Sequence, residues 1–206
     1  MILKDPKIIF VHIPKTGGQS VTKYLQENIG IPYNLQDPEC GFSYNTNLKK
    51  PGPDNSHHLF YKEYTDYNWV LDNINSYFSF AVVRNPYDKF VSAFHWWHEI
   101  FKNHTYKSFI ENFPKEFRKG KDRHFSRQSD FVISEGKIGV DKIFRLEYDM
   151  PDNFTSFMEE KFGFTKPLGL ENKAHNSRKT PLDRATMDWI NDYYDQDFKL
   201  FGYEKA

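Results

Sequence analysis

The chain has one cysteine, no long apolar run and no net charge, and each of these absences limits what the protein can be. Cys40 cannot form a disulfide within the chain, which fits a reducing compartment. Lysine and arginine together number 28, and so do aspartate and glutamate, so the chain has no overall positive field. We therefore expect neither nucleic acid nor an anionic membrane surface as a partner, and any anion must be bound by a local site.

Long apolar segments are missing as well. A membrane-spanning helix needs about 20 consecutive apolar residues, and no stretch of the sequence approaches that length. The apolar run 8–11 near the start is too short for the apolar region of a signal peptide. These features predict a cytoplasmic protein, and the length of 206 residues predicts a single domain over residues 1–206.

What the chain has instead is a high content of aromatic residues, which make up 18% of it and are mostly Phe and Tyr. Aromatic side chains bury a large apolar area in a core, and on a surface they offer flat faces for stacking. Of these two uses, an aromatic core is the one that we expect, with a sugar-stacking surface as the alternative.

Two segments of the sequence share the order strand, tight turn and helix. In the first, the apolar run 7–13 precedes a glycine pair and a helical pattern that stops at Gly30. In the second, the apolar run 77–83 precedes a turn at residues 84–86 and an aromatic helix to about Phe101. This order predicts a three-layer α/β/α fold with a mostly parallel sheet, whose ligands bind beyond the carboxyl ends of the strands. The apolar face of the first helix is formed by Val21, Tyr24 and Leu25.

The rest of the chain carries weaker signals. Residues 31–58 are rich in Asn, Pro, Gly and Asp without a sustained period. This composition predicts a long loop over the site, which could act as a lid. A short strand is predicted at 143–146 and a helix at 153–162. The apolar face of that helix is formed by Phe154, Phe157, Met158 and Phe162.

The last helix has a predicted start at Thr180. This threonine can cap the helix, Pro181 suits its first position, and Asp183 completes the spacing of a capping box. The side chains that we expect to face the core are Leu182, Ala185, Trp189 and Tyr193.

The first turn reads HIPKTGGQS and covers residues 12–20. Its glycines let the backbone approach an anion, and the helix that follows directs amide hydrogens and its positive end toward that anion. Lys15 adds a mobile cation, and Thr16 and Ser20 add hydroxyl donors. A cation beside a bridging oxygen would stabilise the charge on a departing phosphate, so Lys15 is the first candidate for catalysis. The alternative is a packing turn with two glycines and a solvated lysine.

The second turn reads RNPYDKFVS and covers residues 84–92. Arg84 stands at a strand end, and a guanidinium can bind a phosphate through two parallel hydrogen bonds. Ser92 lies early in the following helix. Two anion-binding turns at one sheet edge would suit a ligand that carries phosphates at two positions. The alternative is an Arg84 that pairs with a carboxylate and a Ser92 that faces solvent.

Taken together, the two turns resemble the 5′-phosphosulfate loop and the 3′-phosphate motif of the sulfotransferases that use 3′-phosphoadenosine 5′-phosphosulfate (PAPS). The similarity is greatest to the branch of heparan and uronyl 2-O-sulfotransferases and their bacterial relatives. It continues in order along the chain at His58, Gln128, Arg145, Glu147 and the segments 176–182 and 193–203. The resemblance implies a P-loop-like sulfotransferase fold and the transfer of a sulfuryl group from PAPS to a hydroxyl of a carbohydrate acceptor.

The resemblance also implies which residues bind the nucleotide. Those that would hold the 5′-phosphosulfate are Lys15, Thr16, Gly17, Gly18, Gln19 and Ser20. Those that would hold the 3′-phosphate are Arg84 and Ser92. The segment that would close over the nucleotide contains Ser177, Arg178 and Lys179. Gln19 departs from the Thr or Ser that the family usually has, although its amide can still donate a hydrogen bond.

Sulfuryl transfer to an alcohol requires that the acceptor proton be removed, and an imidazole suits that role at neutral pH. The candidates are His57 and His58. In the branch that the chain resembles, the base is a histidine in this part of the chain, and the spacing favours His58, with His57 as its neighbour or substitute. The alternative is a pair of loop histidines that face solvent.

A metal site is a weaker hypothesis. His95, His98 and Glu99 have the spacing of one helix face. Two tryptophans lie between them, the chain has no cysteine pair, and transfer from PAPS requires no metal. We therefore expect PAPS as the donor and no metal cofactor.

The run 115–127 is locally basic. Such a run is usually a solvated face, but beside the cleft it would favour an acceptor with uronate or sulfate groups.

Two other functions remain as alternatives. A nucleotide-dependent phosphotransferase shares the strand, loop and helix order, but the lysine here precedes the glycines, so the Gly-x-x-x-x-Gly-Lys-Ser/Thr motif is absent. A non-catalytic module would bind the product 3′-phosphoadenosine 5′-phosphate (PAP) without moving sulfate.

Overall fold

The structure, a computed structural model, describes residues 1–30, 60–62, 74–98, 104–113, 123–169 and 181–206. The long loop predicted at 31–58 and the helix end predicted near Phe101 lie outside these ranges. None of the helices within them is both long enough and apolar enough to cross a membrane.

A four-stranded sheet forms the centre of the described part of the chain. The strands in chain order are β1 (Ile2–Lys4), β2 (Lys7–Val11), β3 (Phe78–Val83), β4 (Ile133–Ser134), β5 (Lys137–Ile138) and β6 (Lys142–Arg145). The order across the sheet is β1-β2-β3-β6, while β4 and β5 form a separate hairpin. β1 is antiparallel to β2, whereas β2, β3 and β6 run parallel. The mostly parallel sheet is therefore confirmed, and β6 lies one residue earlier than the predicted strand.

Helices cover this sheet. In chain order they are α1 (Gly18–Asn28), α2 (Pro86–His98), α3 (Tyr106–Glu111), α4 (Gln128–Val132), α5 (Leu146–Asp149), α6 (Asp152–Phe162), α7 (Arg184–Tyr193) and α8 (Asp195–Phe201). A short 3-10 turn at Ile74–Ser76 precedes β3.

The two faces of the sheet carry two separate cores, because alternate residues of a strand point to opposite faces. Ile8 and Phe10 of β2 belong to a core with the apolar residues of α1 and α6. Ile9 and Val11 of the same strand belong to a core with residues of α2, α3, α7 and α8. A sheet that is apolar on both faces needs a helical layer on each. The three-layer α/β/α fold is thus confirmed.

The layer of α1 and α6 has the apolar faces that the sequence predicts. Val21, Tyr24 and Leu25 of α1 are buried, as are Phe154 and Met158 of α6. The ring of Tyr24 meets the ring of Phe154 edge to face, with centroids 5.3 Å apart. Rings packed in this way add about 0.5–1.5 kcal/mol per pair beyond the burial of their area.

The other layer is held by a cluster of aromatic side chains around Phe90 of α2, which is completely buried. Its ring packs within 6.4 Å, centroid to centroid, of Phe94, Tyr106, Phe109, Phe125 and Trp189. These partners come from α2, α3, α7 and the segment before α4, so one side chain joins four parts of the chain. The aromatic residues therefore form core, as expected.

The predicted start of the last helix is wrong. α7 begins at Arg184, and Asp183 is its N-cap, whose carboxylate accepts a hydrogen bond from the Thr186 N–H at 2.8 Å. Aspartate caps helices better than threonine, so Asp183, which was expected inside the first turn, is itself the cap, and Pro181 precedes the helix. Ala185 is consequently exposed, and Thr186 is buried instead. The other three residues that were expected to face the core are partly buried and pack against it. They are Leu182, Trp189 and Tyr193.

Candidate functional site

The two turns singled out in the sequence meet at one edge of the sheet. β2 and β3 are neighbouring parallel strands in which Val11 pairs with Ala81, so the turns that follow them leave from the same side. Nη1 of Arg84 donates a hydrogen bond to the carbonyl oxygen of Lys15 at 3.3 Å. The structure thus places the two predicted cationic side chains in adjoining turns.

The backbone of the first turn is strained. Lys15 has φ +66° and Gly17 has φ +83°, both in the left-handed region. For a residue with a side chain, such as Lys15, this conformation costs about 1–2 kcal/mol in conformational energy. Strain of this kind is common at functional sites. The hydroxyl of Thr16 donates a hydrogen bond to the carbonyl of Ile13 at 2.9 Å. This contact closes the turn and leaves the hydroxyl engaged within the loop.

Packing requires glycine at position 18, and the backbone conformation favours it at position 17. A Cβ on Gly18 would lie 2.0 Å from Cδ2 and Nε2 of His12, which is buried beneath the turn. A Cβ on Gly17 would lie 3.2 Å from Cδ1 of Leu146, in addition to the positive φ. The glycine pair therefore has a structural reason within the fold, and the argument for an anion must come from the helix end and the cations.

The N-terminus of α1 has the properties of an anion site. The first N–H groups of a helix have no acceptor within the helix, and its dipole places partial positive charge there. In the described part of the chain no side chain caps this end, and the first turn carries no acidic residue. Thr16 and Ser20 are buried, and Lys15 and Gln19 are half-buried. This helix end is suited to a negatively charged ligand.

The second turn begins α2 with a good cap. The side-chain oxygen of Asn85 accepts a hydrogen bond from the Tyr87 N–H at 2.9 Å, and Pro86 takes the first helical position. Ser92 lies six residues further, about 9 Å along the helix axis, and is half-buried. The turn and helix predicted from this sequence are confirmed.

Arg84 has a buried donor that finds no acceptor among the described residues. Its Nε atom is buried and makes no hydrogen bond with the described residues. Within those ranges the guanidinium also has no carboxylate partner, since its contact is with the Lys15 carbonyl. Buried N–H groups in proteins nearly always have acceptors. Among the described residues, Arg84 therefore does not form the ion pair with a carboxylate that was the alternative. An anionic ligand would supply the missing acceptor.

Two side chains from other elements hold the main chain of the second turn. Gln128 accepts from the Arg84 N–H and donates to the Arg84 carbonyl, each at 2.8 Å. Glu147 accepts from the Asn85 N–H at 2.9 Å. Both residues were part of the sequence resemblance, but the sequence alone indicated no role for either of them.

The C-terminal part of the chain positions these two side chains in turn. The carboxylate of Asp197 accepts from the N–H groups of Gln128 and Ser129, each at 2.8 Å. Burial raises the pKa of the Asp197 carboxyl, and the two hydrogen bonds oppose that shift. The hydroxyl of Tyr203 donates to Glu147 at 2.8 Å, and burial together with this carboxylate raises the pKa of the tyrosine. The sequence carried no signal for either contact.

Several predicted site residues lie outside the described ranges. They are His57, His58, Ser177, Arg178 and Lys179. Of the three residues in the metal-site hypothesis, Glu99 and the side chain of His98 also lie outside the described ranges. The third, His95, has its Nε2 atom 3.3 Å from the hydroxyl of Tyr106. No group of three or more potential metal ligands occurs among the residues that are described.

At the described end of the basic run 115–127, one arginine is packed into the protein and another forms an ion pair at the surface. Arg123 is buried, with its guanidinium carbon 4.2 Å from the ring centroid of Phe60. Arg127 forms an ion pair with Asp130 at 2.8 Å. Arg123 therefore does not lie on a solvated face. It makes a cation–π contact with the ring of Phe60.

Comparison with protein families places the whole described site inside one family model. The model of the sulfotransferase family matches residues 1–204, which include both turns and the C-terminal segment that supports the second. No curated protein matches the chain, and no solved structure matches it.

Proposed function

The chain belongs to the sulfotransferase family, and on that premise we propose that it transfers a sulfuryl group from PAPS to a hydroxyl of a carbohydrate acceptor. The products are PAP and a sulfate ester. The observation that carries the proposal is the junction of the two turns, where the Arg84 guanidinium contacts the Lys15 carbonyl at 3.3 Å. This junction brings two cationic residues and one helix N-terminus to a single edge of the sheet.

The residues at this edge fit a ligand with two anionic groups. The N-terminus of α1 lacks a side-chain cap, and Arg84 has a buried Nε–H without an acceptor among the described residues. PAPS carries a phosphosulfate at one end of its ribose and a phosphate at the 3′ position. One group would lie at the helix N-terminus and the other at the guanidinium, since each offers donors and positive charge.

The roles of individual residues follow from this assignment. The 5′-phosphosulfate is held by Lys15 and by the main chain of residues 16–20. For Thr16 the N–H serves as donor, because its hydroxyl already donates to Ile13. Arg84 and Ser92 hold the 3′-phosphate. Ser177, Arg178 and Lys179 close over the nucleotide.

PAPS supplies the sulfuryl group, and the sulfur–oxygen bond to PAP breaks as the bond to the acceptor oxygen forms. The Lys15 ammonium stabilises the negative charge that develops on the leaving oxygen. The imidazole of His58 takes the proton of the acceptor hydroxyl, with His57 as its neighbour. The base and the cation thus act on opposite ends of the transferred group.

The transfer itself is tested with labelled PAPS and a panel of acceptors. Uronate-bearing saccharides, neutral saccharides and phenols would be incubated with the protein, and labelled sulfate esters would be separated and counted. We expect label on saccharides, with loss of the signal in Lys15→Ala. Label on phenols alone would contradict the carbohydrate acceptor. PAP that binds while no acceptor becomes labelled would favour the non-catalytic module.

A further inference from the structure

The main chain of Arg84 lies just beyond the sheet and is bound there by one side chain. β3 ends at Val83, which pairs with Arg145 of β6, so Arg84 has left the strand ladder. The Gln128 amide takes the place of a neighbouring strand, since it accepts from the Arg84 N–H and donates to its carbonyl at 2.8 Å each. The one Gln128 amide thereby provides hydrogen-bond partners for both the N–H and the carbonyl of the Arg84 main chain.

Gln128 itself is held on a rigid frame. It is fully buried at the first position of α4, and both oxygens of Asp197 accept from the N–H groups at the start of that helix. The segment before α4 is fixed by the buried Lys89, whose Nζ donates to the carbonyls of His124 and Ser126 at 2.9 Å each. The amide is therefore presented to Arg84 from a position that cannot easily shift.

A fixed main chain limits where the Arg84 guanidinium can go. An arginine side chain has about 2 kcal/mol of rotamer entropy, and binding is stronger when the groups that contact the ligand are already in place. The guanidinium reaches the Lys15 carbonyl, which places it between the two turns. Loss of the amide would release the backbone from which this side chain starts.

We propose that Gln128 is a positioning residue of the nucleotide site, whose amide holds the Arg84 main chain so that the guanidinium is ready for a phosphate of the ligand. The inference rests on the proposed function, because it takes Arg84 as a PAP-binding residue. Gln128 acts through Arg84 and has no contact with the ligand.

The first test removes the hydrogen bonds and keeps the size of the side chain. In Gln128→Leu, the dissociation constant for PAP, measured by calorimetry, should rise about tenfold, as expected if the misplaced Arg84 guanidinium loses about one hydrogen bond to a phosphate. Gln196→Leu is the matched control, since Gln196 is exposed on α8, and its affinity should equal that of the wild type. Circular dichroism establishes that both variants are folded.

The second test separates positioning from a general packing role through pH. A protonated carboxyl has one donor and one acceptor, like the amide, whereas a carboxylate only accepts and would repel the Arg84 carbonyl. Gln128 is fully buried, and burial is expected to raise the pKa of a carboxyl introduced there above its ordinary value of about 4.3. Gln128→Glu should therefore bind PAP as weakly as Gln128→Leu at pH 8 and should recover affinity as the pH falls to 5. Each affinity is divided by that of the wild type at the same pH, because the phosphates of PAP also titrate.

The same charged groups surround this position in both variants. They are Arg84 on the turn, Arg127 just before α4, Asp130 on α4, Asp197 on α8 and Lys89 on α2. Since they are common to Gln128→Glu and Gln128→Leu, recovery confined to the glutamate variant reports the titration of the new carboxyl. Gln196→Glu serves as its exposed control.

The outcomes separate the two claims. Wild-type protein that binds PAP together with a Gln128→Leu variant of equal affinity would overturn the positioning role and leave the proposed function standing. A Gln128→Glu variant that stays as weak as Gln128→Leu from pH 8 down to the lowest pH at which the wild type is folded and binds PAP would also overturn it. Wild-type protein that does not bind PAP would overturn both.

Discussion

The two turns of the site are built in different ways. Residues of the first turn hold one another, through the Thr16 hydroxyl on Ile13 and through the packing of Gly18 on His12, and Arg84 adds one hydrogen bond from the second turn. The second turn is held from a distance, by Gln128 on Arg84 and by Glu147 on Asn85.

The first turn depends mainly on its own residues, whereas the second depends on residues far away in the sequence. The first turn requires short side chains at fixed local positions, so its own sequence carries the information. The second requires partners that lie 44 and 62 residues further along. Those partners are supported by the C-terminal residues Asp197 and Tyr203. Changes near the C-terminus should therefore act on the second turn and spare the first.

The largest effect is expected for Asp197→Leu. This change leaves the buried N–H groups of Gln128 and Ser129 without an acceptor and removes a negative charge that acts on the buried Lys89. We expect a loss of about 3–5 kcal/mol in the free energy of unfolding, measured by urea denaturation. The exposed Asp192→Leu should cost no more than about 0.5 kcal/mol. Equal stability of the two variants would refute the distant support of the second turn.

The next effect concerns chemistry in the first turn. Lys15→Ala should lower the rate of sulfate transfer by about 100–1,000-fold, the usual result of removing one electrostatic contact to a developing charge. Its thermal unfolding temperature should stay close to that of the wild type, because alanine replaces a half-buried side chain. Lys137→Ala, on the exposed β4–β5 hairpin, is the control. Near-normal turnover in Lys15→Ala would remove this lysine from the mechanism.

A smaller effect separates backbone strain from binding. Gly17→Ala and Gly136→Ala both place a side chain at positive φ, +83° and +75°, and each should destabilise the protein by about 1–2 kcal/mol in urea. Only Gly17→Ala should also weaken PAP binding, since Gly136 has open space around it in the hairpin. Equal PAP affinity in the two variants would argue against a ligand at the first turn.

The smallest effect is expected for Tyr203→Phe. The change removes the hydrogen bond from the tyrosine hydroxyl to Glu147 at 2.8 Å and its longer contact with the Val83 carbonyl at 3.4 Å. It should cost about 1 kcal/mol in the free energy of unfolding. Glu147 keeps its contact with Asn85, so PAP affinity should fall less than in Gln128→Leu. Tyr148→Phe is the control, because Tyr148 is 61% exposed. A larger loss of PAP affinity than in Gln128→Leu would make Glu147 the main support of the turn.

The same difference explains what the sequence could and could not predict. The strand, turn and helix order was readable twice, because buried strands and amphipathic helices each have their own period. The start of α7 was predicted wrongly, because the prediction placed the cap at Thr180 although Asp183, three residues later, is the better capping residue. The bonds from Gln128 to Arg84 leave no periodic trace, because they join residues that are neighbours only in the folded chain. The resemblance to a family included Gln128 but indicated no role for it.

The central claim is that these two turns form one binding site for PAP. Calorimetric titration of the wild-type protein with PAP tests it most directly, with ATP plus magnesium and adenosine 5′-phosphate as controls and Arg84→Ala as the variant. We predict tight binding of PAP that needs no metal and is weakened at least about tenfold in Arg84→Ala. Absence of PAP binding, or preference for ATP with magnesium, would contradict the claim and favour a phosphotransferase.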